Sequence, residues 1–148
     1  MPLSSPGLRR TVNQALISAT GAANPDRQQL TAAFSVLCDR LRQRLQPIFG
    51  APATRALFTR ALHVAAHEYP WLNDLQLNPE RCSLDGLDAP HLQLDSHTLA
   101  AGLSAVLAHD IGLLIAFIGE DVVMPLVQDA WGHASLADSR RASTEGDS

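Results

Sequence analysis

The chain has no lysine: all eleven of its basic residues are arginines, set against fifteen acids and six histidines in 148 residues. That excludes Schiff-base and lysine-nucleophile chemistry, and an arginine-only set reads as the coding bias of a GC-rich bacterial genome. Aromatic residues are scarce at 5%, and charged residues make up 18% against 46% hydrophobic ones. This is a globular composition with a thin charged shell, neither disordered nor fibrous. Cysteine is nearly missing. Cys38 falls inside a helical repeat and Cys82 in a loop, a spacing that fits neither a metal knuckle nor a disulfide framework, so reduced thiols in a cytoplasm are expected. The most apolar run, Ile111 to Ile118, is short, and lengthening it brings in Asp110, Glu120 and Asp121. It is expected as core, with no membrane involvement. Arg9 and Arg10 precede a mildly apolar stretch, but Asn13, Gln14, Ser18 and Thr20 interrupt any export signal there.

The net charge is −4, and the two signs are separated along the chain. Arg40, Arg42, Arg44, Arg55 and Arg60 share a stretch without an acid, whereas from Glu68 to Asp129 the many acids meet Arg81 alone. Positive charge confined to one segment does not make the dominant basic face that phosphate backbones require, so nucleic acid is not an expected partner. Charge pairing within the chain or between copies is.

Hydrophobic periodicity predicts an all-α fold of one domain. Residues 1–23 read as an N-terminal arm with a short amphipathic helix, whose apolar positions are Leu8, Val12, Ala15, Leu16 and Ala19 and which stops at Gly21. Residues 24–133 read as a helical bundle of four main helices arranged as two antiparallel hairpins. The first helix starts at Asn24-Pro25-Asp26, with Asn24 as cap, and carries a stripe from Leu30 through Phe34, Leu37, Cys38, Leu41 and Leu45 to Ile48. Its partner carries Leu57, Phe58, Ala61, Leu62 and Ala65 and ends at Pro70. A long irregular connection over residues 70–95 follows, with Leu75–Leu77 and Leu92–Leu94 as its extended candidates and Trp71 expected to pin it to the core. Asp95 and Ser96 cap the third helix. Gly119 breaks it, Glu120 and Asp121 open the fourth, and Gly132 stops that one. Residues 134–148 lack apolar periodicity and are expected to be disordered.

Sliding the chain by 69 residues lays Leu30 on Leu99, Phe34 on Leu103, Leu45 on Leu114, Gly50 on Gly119 and Leu57 on Leu126. This marks the two hairpins as a candidate internal duplication.

Few residues suggest chemistry. His63 and His67 stand at i and i+4, where two imidazoles on one helix face can share a metal; His91, His97, His109 and His133 are the candidates for a third ligand. The polar pair His109 and Asp110 interrupts the most apolar helix. A buried carboxylate needs a partner, a proton or a cavity. Arg40 and Arg44 of the first hairpin are its expected partners, since guanidinium suits a buried carboxylate best, and Arg60 is expected near Asp129. A helix-borne His109 followed by Gly112 in a four-helix chain resembles a phosphotransfer domain, which implies His109 as the phosphorylated residue; the lysine such domains carry is missing. Glycine-rich phosphate loops, nucleophile elbows and paired E-x-x-H motifs are absent from the sequence, and no cofactor is expected. The expectation is therefore a non-enzymatic regulatory or sensory module that binds a protein partner, as a homodimer in a bacterial cytoplasm. The alternatives are a small metal-binding protein or enzyme using His63 and His67 with Asp110, and a divergent phosphotransfer domain using His109.

Overall fold

One helix, from Ser96 to Ile118, is apolar enough that it must be covered on nearly every side, and the rest of the chain is arranged to cover it. A computed structural model describes residues 6–74, 76–78, 83–85 and 95–132, with the side chains of 6, 76–78 and 83–85 left aside. In chain order the α-helices are α1 (Pro6–Thr20), α2 (Arg27–Phe49), α3 (Ala51–Glu68), α4 (Ser96–Ile118) and α5 (Glu120–Trp131). The fold is all-α. Between α3 and α4 lie a 3-10 turn (Pro70–Asp74) and two three-residue strands, β1 (Gln76–Asn78) and β2 (Ser83–Asp85).

All the other α-helices touch α4, and α3 packs on it most extensively. From Leu99 to Ile111 nearly every α4 residue is buried. By length and composition α4 could cross a membrane, but 67% of its most apolar window is buried within the fold, as a core helix requires. The second wall is α2, whose Leu30, Phe34, Leu37, Leu41 and Leu45 are each no more than 2% exposed. The N-terminal helix belongs to the same core: Val12, Leu16 and Ala19 of α1 are buried between α2 and α4.

The start of α2 differs from the sequence reading. Asp26, not Asn24, is the cap: its carboxylate accepts from the Gln29 amide at 2.8 Å while its own amide donates to Gln29 Oε1 at 2.9 Å. This reciprocal capping box satisfies two free amides, which Asn24 alone cannot do. Asp95 caps α4 as expected, accepting from the Thr98 amide at 2.7 Å.

Single glycines join α2 to α3 and α4 to α5. Gly50 has φ 85°, ψ 158° and Gly119 has φ 92°, ψ 150°, a region of backbone space that side chains other than glycine's essentially never occupy. At each joint the glycine amide closes the preceding helix and its carbonyl opens the next.

The connection holds one strand near an expected place. Leu77 of β1 pairs antiparallel with Leu84 of β2. The other extended candidate, Leu92–Leu94, lies outside the described residues. So does the expected tail, 134–148. Trp71 docks the connection onto α4, its ring lying so close over Gly102 that a Cβ there would overlap it, with Tyr69 edge-on at 6.3 Å.

Candidate functional site

His109 and Asp110 are neighbours in sequence but face different parts of the interior, because successive helical residues diverge by about 100°. The His109 ring is fully buried, and its Nε2 lies 3.1 Å from Arg9 Nη2 and 3.4 Å from Glu68 Oε1. Arg9 in turn grips Glu68 with two prongs, Nη1 to Oε2 at 2.6 Å and Nη2 to Oε1. A guanidinium can only donate, so the shorter contact, from Arg9, requires an unprotonated Nε2, which a neutral ring with its proton on Nδ1 provides; the longer one, to Glu68, would require a proton on Nε2. Burial, and then the charge of Arg9, hold the His109 pKa below the usual histidine value, with Glu68 pulling the other way. The hydrogen bond from Arg9 holds the Glu68 carboxyl below its usual range, and the same bond raises the guanidinium.

Three helices meet in this cluster: α1 through Arg9, α3 through Glu68 and α4 through His109. It is built to seat α1, since the one basic nitrogen is already engaged and closed to solvent. The sequence reading missed Arg9 and Glu68 as partners of His109. A signal was there: Arg9 precedes Val12 by three residues and Leu16 by seven, so it lies in phase with the buried stripe of α1.

Asp110 faces the other way, into a void of about 10 Å³ walled by Cys38, Leu41, Arg42, Leu45, Thr54, Phe58 and Leu107. Its Oδ1 is buried without a hydrogen-bond partner among the described residues, and burial pushes its pKa up from 3.8 to about 7. The expected arginine pair is not made. Arg44 bonds Asp129 of α5 instead, Nη1 to Oδ2 at 2.8 Å, while Arg60 lines a groove beside Leu113 and Phe117. Arg40 is half-buried on α2 and leaves Asp110 Oδ1 without a bond. The reason is helical phase: Asp110 meets the Cys38, Leu41 and Leu45 side of α2, and positions 40 and 44 lie off that stripe. Arg42 reaches the void but runs along its own helix, with Nε 3.2 Å from Asp39 Oδ1 and Nη1 3.1 Å from Gln46 Oε1.

His63 and His67 stand on the exposed face of α3, rings edge to face with centroids 5.6 Å apart. Among the described residues no group of three or more His, Cys, Asp or Glu is gathered as a metal site. Of the candidate third ligands, His97 opens α4, His109 is engaged with Arg9, and His91 and His133 lie outside the described residues.

A more open feature lies where α3 runs back along the end of α4. Phe49, Ala53, Ala56, Leu57, Leu113 and Phe117 line an apolar groove of about 470 Å³ with Arg60 at its edge. Phe117 is 71% exposed, and Ile48 and Val122 beside the glycine joints are 54% and 51% exposed. Arg55 and Arg60 border this surface on α3, and the exposed acids Glu120 and Asp121 follow Phe117 across the joint.

No protein-family model matches the chain, and neither a curated protein nor a solved structure matches it. Function therefore has to be argued from these residues.

Proposed function

We propose that this chain is a regulatory or sensory binding module of a bacterial cytoplasm that works as a homodimer, each copy laying Phe117 into the groove between α3 and α4 of the other. The observation that carries the reading is that groove, with a phenylalanine 71% exposed at its rim. Leaving such a ring in water costs about 2–3 kcal/mol, and a two-fold contact recovers this twice. The charges favour a second copy over an unrelated partner. An isologous interface must be self-complementary, and this face carries both signs, Arg55 and Arg60 on one side and Glu120 and Asp121 on the other.

The two-hairpin duplication is part of the same proposal. Its support is that Gly50 and Gly119 share one unusual backbone conformation, and that α3 packs on α4 as α5 packs on α2. That is the exchange a pseudo-two-fold axis between hairpins produces. The other readings draw less support. Phosphorylation needs a reachable imidazole, and that of His109 is fully buried. Metal or enzyme chemistry needs His63 and His67 to converge with Asp110, which lies in the interior while they face solvent.

Sedimentation equilibrium of the full chain tests the proposal. A dimer is expected at micromolar concentration, with Phe117→Glu giving a folded monomer by circular dichroism. A monomeric parent protein, or a Phe117→Glu dimer of undiminished strength, overturns it.

A further inference from the structure

At the opposite end of α4 from the apolar groove, a cleft of about 660 Å³ opens between α1, the α1–α2 turn and the first turns of α4. Its floor is made by small residues: Ala100, Ala101 and Ala105 of α4 leave a hollow that Ile17 closes from α1. Its walls are polar. Arg9, Arg10 and Asn13 come from α1, and Ser96, His97 and Ser104 from α4.

We propose that this cleft binds a small monocarboxylate with a compact aliphatic or aromatic body. The apolar floor asks for an apolar body, and the size falls within the range of small-molecule sites. Charge sets the other end of the ligand. Arg9 is paired with Glu68, and the one acid in the lining, Asp26, keeps its charge but turns it to the Gln29 amide as the cap of α2. The guanidinium of Arg10, exposed in the same lining, is the cation that a ligand carboxylate can reach. A planar fork of donors matches a carboxylate in two-pronged geometry. Ser104, 3% exposed, already donates to Asn13 Oδ1 at 3.0 Å, which holds the deep end of the wall in place and leaves the Asn13 amide nitrogen as a further donor. A phosphate, with more charge and no body, would leave the alanine floor unused.

The inference goes beyond dimerisation, and its test is independent of it. Isothermal titration and thermal melting of the full chain would use benzoate, hexanoate and 4-phenylbutyrate as probes, with benzamide and inorganic phosphate as controls. Saturable binding of at least one carboxylate below about 10 mM is expected, with benzamide and phosphate at least tenfold weaker. Arg10→Ala, at an exposed position, should weaken binding at least tenfold. Ala101→Leu, which fills the hollow, should abolish it while the helical spectrum and the sedimentation behaviour persist. The proposal is overturned if no carboxylate saturates, if benzamide or phosphate binds as well, or if both variants bind like the parent. Should Ala101→Leu fail to fold, Arg10→Ala and the benzamide control decide the matter.

Discussion

Asp110→Asn should stabilise this protein at neutral pH and leave it unchanged in acid. The carboxyl is fully buried with one oxygen unpartnered, and its pKa lies at about 7 in the fold against 3.8 ordinarily. An acid whose pKa is raised by folding is protonated in both states below about pH 4, so it costs nothing there. As pH rises from 4 to 7 the unfolded chain ionises while the folded one holds its proton, and folding loses about 1.4 kcal/mol for each pH unit. Integrated over that window the loss reaches about 4 kcal/mol and then stays level. Asparagine keeps the shape and never ionises. The gain on substitution is therefore near zero at pH 4 and grows to about 4 kcal/mol above pH 7, with the full figure as a ceiling, because the void beside Asp110 is at the lower limit for one water molecule that could solvate the ion. Urea unfolding of parent and variant at pH 4.5, 6 and 7.5 measures the difference and cancels the contributions of His109 and Glu68. A difference that does not vary with pH, or a variant less stable at pH 7.5 by 3 kcal/mol or more, would show a paired carboxylate and refute the reasoning.

Three further outcomes follow from the geometry. Gly50→Ala and Gly119→Ala should each cost about 1–3 kcal/mol from backbone strain alone, since nothing crowds a Cβ at Gly119; unchanged melting temperatures would contradict it. Gly102→Ala should displace the Trp71 ring at about 1–3 kcal/mol and shift tryptophan emission to the red, and an unshifted spectrum at equal stability would count against the contact. Arg9→Ala removes the positive charge beside His109 while leaving Glu68, so the His109 pKa should rise in an NMR titration; a fall would mean that Glu68 leaves with Arg9.

Much of this fold was legible from apolar spacing. The stripe from Leu30 to Leu45 and most of the run from Leu99 to Leu114 are buried where the spacing put them, because a helix hides one face and 3.6 residues per turn record which; Ile48, the last member of the expected stripe, is instead 54% exposed beside the Gly50 joint. The joints were legible because glycine alone tolerates their backbone. The polar partners were not. That Asp110 lacks an arginine depends on the rotation of α2 relative to α4, which places Arg40 and Arg44 off its side and sends Arg44 to Asp129. Spacing within one helix carries no information about the rotation between two. Arg9 was overlooked for a related reason: an arginine in an apolar phase reads as a surface residue until its partner is known, and Glu68 and His109 are brought to it only by the tertiary fold.

The central position of α4 also constrains the order of folding. A ribosome releases α1, α2 and α3 before the helix they all lean on, so Val12, Leu16, Phe34 and Phe58 have only part of their final surroundings until residue 118 has emerged. The bond from Arg9 to His109 closes across 100 residues. Long-range closure of this kind slows the search for the native state, unlike the neighbour-by-neighbour assembly of a simple helical bundle. Until then the nascent chain presents an oily, incomplete shell, the state in which a protein is most exposed to aggregation and most dependent on chaperones. Acquisition of structure should accordingly be all-or-none, with α1 through α3 gaining lasting protection from hydrogen exchange only when α4 does.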